Sequence, residues 1–166
     1  VTGQALPGGG TLDARGSFTA FVDPVLDDAG RVVFRVDNTG SVTAGRQVLL
    51  IWQAGALSEL VRSGDAAPGG GSFAGIGAHS RLDALGRVLF EATVTGAPPD
   101  ANQRIFRSEA GSIVELLSEG VAAPNGDGVV WFDSYSSPEL QNTSAGVLFA
   151  TEIDASAAAP PPIAGS

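Results

Sequence analysis

Apolar and polar residues alternate with a period of two in three separated stretches of the chain. In 31–37, Val32, Phe34 and Val36 share one side, opposite Arg35 and Asp37. In 87–94, Val88, Phe90, Ala92 and Val94 oppose Glu91 and Thr93, and in 147–153 Val147, Phe149 and Ile153 oppose Glu152. Successive side chains of an extended chain point to opposite faces, so each stretch predicts a half-buried β-strand. No window of useful length carries apolar residues at three- and four-residue spacing, so no amphipathic helix is expected.

The strands recur within a longer pattern. LDDAGRVVF (26–34), LDALGRVLF (82–90) and LQNTSAGVLF (140–149) end on Phe34, Phe90 and Phe149, at steps of 56 and 59 residues. Each is preceded by a Gly/Pro turn with the two residues four apart: Gly3/Pro7, Gly64/Pro68 and Gly120/Pro124. IWQAGALSELV (51–61) and FRSEAGSIVELL (106–117) are pairs of short apolar runs around Ala-Gly, a hairpin signal. The Asp-x-x-Gly turns place Gly30 and Gly86 where a positive φ is needed before an inner strand. Upstream, Phe18, Phe73 and Phe132 align, followed by Phe21, Ile76 and Tyr135, then Pro24, His79 and Pro138. These positions are expected to fill seams between neighbouring units.

The expected fold is all-β. It consists of three tandem blade-like antiparallel units, propeller-like or an open β-sandwich, incomplete at both ends. A single repeat domain covers 1–154, in units of about 1–60, 61–116 and 117–154, followed by an Ala/Pro tail at 155–166. The first unit is expected to lack a leading hairpin strand, and the third has no counterpart of IFRSEAGSIVEL.

Asp27-x-x-Gly30-x-x-x-Phe34 and Asp83-x-x-Gly86-x-x-x-Phe90 resemble the Asn/Asp-x-x-Gly-x-x-x-Phe tandem repeats of secreted bacterial surface proteins. Gly64, Asp65, Pro68 and Gly69 match the Gly-Asp-x-x-Pro-Gly turn that precedes such repeats. The resemblance covers about 1–154. It implies a surface location, a propeller-like architecture and a choice of C-terminal anchors, and it carries no defined biochemical activity. The chain departs from the pattern in having under three full units, an altered third turn (Asn142 to Gly146) and no anchor. A closed propeller needs about four to eight blades, so these units cannot close in the usual way.

Composition narrows the chemistry. Lys+Arg 9 against Asp+Glu 18 gives a net charge of −9, which offers no basic field for nucleic acid. No stretch approaches the ~20 apolar residues that would insert in a membrane as a helix. Hydrophobic residues at 43% and charged ones at 16% call for a packed core. Cys is absent, which removes thiolate chemistry and Cys-ligated zinc, and Lys is absent, which removes Schiff-base catalysis. Met is also absent, and a start at Val1 suggests a processed, secreted segment.

Several residues carry a chemical reading beside a plainer one. Gly69 to Ala74 fits G-x-G-x-x-A, but a strand follows where a dinucleotide site needs a helix. His79 is the only histidine, and two prolines hold its aligned positions, so it reads as a seam residue. Asp27, Asp28, Asp65, Asp83, Asp127 and Asp133 could bind calcium, yet they lack EF-hand spacing and read as turn acids. Nothing singles out a glycosidase pair among the eighteen acids. Asn142-Thr143-Ser144 is a sequon, read as incidental. Trp52, Trp131 and Tyr135 could stack on sugar, although aromatics in alternating strands more often belong to a core.

No catalytic residue, metal ligand or cofactor is assigned, and an enzyme is not expected. The expected function is structural: an extracellular, self-assembling subunit of a filament or surface layer. Unpaired edge strands invite pairing between copies, and a heterologous contact that does not close builds a filament. The tail, at Ala158, Ala159, Pro160, Pro161, Pro162 and Ile163, is the expected assembly element, and Phe34, Phe90 and Phe149 are the expected repeat core. The partner is then another copy of the chain. The alternative is a secreted binding module for a glycan or protein ligand.

Overall fold

A computed structural model describes residues 5–7, 22–38, 46–98, 101–122, 129–131, 140–142, 147–149 and 152–154. The strands are β1 (Val22–Leu26), β2 (Val32–Asn38), β3 (Arg46–Gln53) and β4 (Ala56–Arg62), then β5 (Phe73–Leu82), β6 (Val88–Val94), β7 (Gln103–Glu109) and β8 (Ser112–Ser118). Four short strands follow: β9 (Val129–Trp131), β10 (Leu140–Asn142), β11 (Val147–Phe149) and β12 (Glu152–Asp154). No α-helix occurs among the described residues.

The first eight strands make two antiparallel sheets of four, ordered β1-β2-β3-β4 and β5-β6-β7-β8. Every connection within them is between sequence neighbours, so each sheet is a simple meander. The first sheet therefore holds four strands of its own. The leading hairpin strand expected to be missing from the first unit is not needed, because β3 and β4 follow β2 and complete the sheet. The later strands form two separate pairs, β10-β11 and β12-β9. They do not add a third sheet of four among the described residues, and the sheets do not close into a propeller.

The two sheets repeat at a fixed offset of 56 residues, Phe34 to Phe90. Leu26 pairs with Val32 as Leu82 pairs with Val88, and Phe34 pairs with Leu50 as Phe90 pairs with Phe106. Both β3–β4 and β7–β8 turn on Ala-Gly, with φ positive at Ala54 and Gly55 and at Ala110 and Gly111. Two successive positive φ values match the right-handed twist of the flanking strands, as in type I′ hairpins. The pair β10–β11 keeps the same register, Leu140 opposite Phe149 as Ser80 is opposite Phe90.

The core lies between the sheets. Val33, Leu49 and Val61 of the first sheet pack against Phe73, Ile76, Val88, Phe90, Ala92, Val94 and Phe106 of the second. At its centre Phe106 meets Phe73 edge-on at 4.9 Å between ring centroids and stacks on Phe90 at 5.6 Å. The opposite face of the first sheet carries a smaller cluster, Val36, Val48 and Leu50 with Leu6 over it. On the far face of the second sheet, Leu89 and Ile105 are fully buried, and β10 packs beside β5 and β6.

Two polar side chains tie the sheets where β5 leaves its ladder. Three residues of β5 (Gly77, Ala78 and His79) bulge opposite Glu91. Just before the bulge, Arg35 donates to the carbonyl of Ile76 at 2.8 Å, and the Ile76 amide donates to Gln47 Oε1 at 2.7 Å. Backbone groups that the bulge would strand inside the core thus find partners on the neighbouring sheet.

Candidate interaction surface

Each sheet ends in the same five-residue turn. In Asp27–Arg31, Asp27 Oδ1 accepts the amides of Ala29 and Arg31, and its other oxygen accepts from Arg31 Nε. In Asp83–Arg87, the same bonds run from Leu85, Arg87 and Arg87 Nε to Asp83. Burial works against these charges, but the donors prevail and hold both carboxyls below their ordinary range. Asp27 and Asp83 are therefore committed to shaping the chain.

The first turn also grips the second. Arg31 donates to the carbonyl of Ala84 at 2.9 Å and to that of Asp83 at 3.3 Å. Its guanidinium lies over Gly86, where a Cβ would come within 2.1 Å of Arg31 Nη1. Gly86 is thus required twice, by its φ of +82° and by the cation above it. The equivalent Gly30 has the same φ class and nothing within 4 Å of its Cβ direction. Between the turns an open cleft of about 520 Å³ is lined by Leu26, Asp28, Leu82 and Ala84, among others.

At this end of the first sheet, one row of apolar residues crosses all four strands. Leu26 pairs with Val32, Val32 with Trp52, and Trp52 with Leu57. Leu26 is 68% exposed and Trp52 41% exposed, while Val32 and Leu57 are half-buried. The matching row of the second sheet, Leu82, Val88, Ser108 and Ile113, lies under the first sheet, with Val88 and Ser108 buried. There the Ser108 hydroxyl accepts the Val88 amide at 2.7 Å.

A second seam joins β1 and β5, which lie side by side. His79 Nδ1 sits 2.6 Å from Asp23 Oδ2, both side chains well exposed. Both residues belong to bulges, since Asp23 and Pro24 oppose Phe34 as His79 and its neighbours oppose Glu91. Strand pairing thus equates His79 with Asp23, and Pro24 with Ser80, one residue away from the match that the sequence suggests. Asp23 has φ +42°, an uncommon conformation for a non-glycine residue. Burial raises the Glu91 carboxyl above its ordinary range, opposed by nearby His79 and reinforced by Glu119.

The outer edge strands are guarded. Leu60 in β4 and Leu116 in β8 are extra residues at matching bulges. Next to them, Glu59 pairs with Arg62 at 2.5 Å and Glu115 with Arg104 at 2.7 Å. Both guanidiniums also reach a proline carbonyl in the preceding Gly/Pro turn, Pro7 and Pro68. Bulges and charges are the usual protection against unwanted strand addition.

Of the expected core residues, Phe90 is fully buried, Phe34 is half-buried and Phe149 sits in β11 opposite Leu140. The tail residues Ala158 to Ile163, with Tyr135, Asp127 and Asp133, lie outside the described residues. Gly69 to Gly71 form a turn into β5, a strand. Among the described residues no group of three or more His, Asp or Glu side chains is placed to hold a metal. No helix among them is long and apolar enough to cross a membrane.

A family model described as a family of unknown function, DUF7453, matches residues 1–159, and the chain belongs to that family. Comparison with curated proteins and with solved structures found no match.

Proposed function

We propose that this family member is an extracellular structural subunit that associates with further copies of itself. The supporting observation is the order in which the faces pack. The first sheet sits with its Val33 and Leu49 face on the Phe90 and Phe106 face of the second. The corresponding residues of the second sheet, Leu89 and Ile105, are again buried on its far side. Such a contact joins unlike faces, so it does not terminate itself, and one further contact of this kind extends a stack. The guarded edges of β4 and β8 argue for growth through faces and tail segments over plain pairing of outer strands.

The test is the state of the purified chain. Sedimentation velocity from micromolar to near-millimolar concentration, with electron microscopy of the same samples, should show concentration-dependent association into elongated particles. A monodisperse monomer across that range removes the proposal.

A second reading has its own observation. Trp52 is 41% exposed between Val32 and Leu57, and an accessible indole suits stacking on a sugar ring. A glycan panel probed with the wild-type chain and with Trp52→Ala would identify it: specific binding that the substitution abolishes supports a glycan module.

A further inference from the structure

We infer that the apolar row at the open end of the first sheet receives the Pro-rich tail of a second copy. This rests on the self-association reading and names the surface and the segment that would carry it.

The receiving surface is the row Leu26–Val32–Trp52–Leu57. Neighbouring strands lie about 4.8 Å apart, so four residues in a row make a track about 15 Å long. Its two most exposed members are large, Leu26 at 68% and Trp52 at 41%. The equivalent row of the second sheet is covered, which marks this position in the repeat as one that packs against a partner.

The donor is chosen by its sequence. From Ala155 to Ser166 no side chain is charged, in a sequence of net charge −9. Within that stretch stands Ala159-Pro160-Pro161-Pro162-Ile163. Three successive prolines favour a polyproline II helix, which rises about 3.1 Å per residue, so these five residues also span about 15 Å. Prolines have no amide hydrogen, so laying them on an apolar track strands no donor. Grooves with an exposed Trp are an established way to read such segments, and a segment already extended loses little entropy on docking.

The self-association reading supplies the second copy. The tail leaves the body after β12, which pairs with β9, and docking within one chain is the competing outcome of the test below.

The experiment uses full-length chains. Wild type, Trp52→Ala, Leu26→Asp and a triple Pro160→Gly, Pro161→Gly, Pro162→Gly variant are compared by sedimentation velocity, with circular dichroism and thermal melting to check the fold. A fluorescent peptide of sequence ASAAAPPPIAGS is then titrated into the triple variant and into the triple variant carrying Trp52→Ala. The expected result is wild-type association weakened at least tenfold by each alteration, and peptide binding that Trp52→Ala weakens at least tenfold. Leu26→Asp covers a misfolded Trp52→Ala, because an exposed Leu26 carries little of the core. If wild type associates and the row and tail variants associate equally well, this inference falls and the self-association reading stands. If wild type is monomeric, both fall, and peptide binding would then point to docking within one chain. Peptide binding indifferent to Trp52→Ala overturns the inference on its own.

Discussion

The two four-stranded sheets share strand order, register, turn and hairpin, yet they differ in what lies over their equivalent faces. The face of the second sheet is closed by the first: Phe73, Phe90 and Phe106 interlock, and Val88 and Ser108 disappear beneath them. The same face of the first sheet is covered at its middle, around Val36 and Leu50, and open at its turn end, around Leu26 and Trp52. The side chains have diverged to suit. Phe106 stands where the first sheet has Leu50, and Trp52 where the second has Ser108. Matched strand pairings thus hold different burdens, and substitutions at matched positions can measure the difference.

The largest contrast is expected in the core. Phe106→Ala should cost about 3–5 kcal/mol, because it empties the centre of an interlocked aromatic cluster. Leu50→Ala, at the matched position, should cost less. Urea unfolding of the two variants decides it, and equal losses would mean that the contact between the sheets adds nothing to the pairing within each.

Next come the two turn glycines. Ala at either position meets the strain of positive φ, about 1–2 kcal/mol. Gly86→Ala also displaces Arg31 from the Asp83 and Ala84 carbonyls, so it should cost about 1–2 kcal/mol more than Gly30→Ala. In an Arg31→Ala background the gap should vanish. A gap that persists there would show that something other than the guanidinium fills the space above Gly86.

The carboxyls separate by pH. Asp27 and Asp83 are held low, so the stability they contribute is present above the ordinary Asp range of about 4 and is lost as the pH falls from there through their lowered values. Glu91 is raised, so its contribution runs the other way and is lost as the pH climbs through its raised value. Denaturation midpoints from pH 3 to 8 should therefore fall steeply on the acid side and gently on the other. Glu91→Gln should flatten the gentle limb and spare the steep one; an unchanged gentle limb would exclude Glu91 as its source.

The smallest effect belongs to the seam between β1 and β5. His79 and Asp23 are both well exposed, and such pairs contribute about 0–1 kcal/mol. His79→Gln should shift the melting temperature by only a degree or two and leave association unaltered. A large loss would mean that the seam, and not the aromatic core, holds the sheets together.

Much of this was readable from residue order. Alternation at Val32–Val36 and Val88–Val94 located the central strands, and the Ala-Gly pairs located both hairpins. The seam was misaligned by one residue, for a definite reason. The step between units is 55 residues from Phe18 to Phe73 but 56 from Leu26 to Leu82. β5 bulges twice over this span, at Ala74 and at Gly77, Ala78 and His79, and residue spacing cannot say where the additional residue enters. The grip of Arg31 on its neighbour was also hidden, because backbone carbonyls accept without regard to the side chains that carry them. The open row did leave a trace. Trp52 and Ser108 occupy matched positions, and a tryptophan facing a serine across a repeat is a sign of unlike surroundings.

The grip of Arg31 has a direction. The arginine belongs to the earlier turn and the carbonyls to the later one, so on a ribosome the donor is made before its acceptor exists. The first sheet, a meander of near neighbours, can form as soon as Arg62 has emerged, and its guanidinium then waits at the edge. When Asp83 to Gly86 follow, they meet a cation already held in place by Asp27. The first sheet would then serve as the template on which the second is laid down, and synthesis from the amino end would set the order in which they dock.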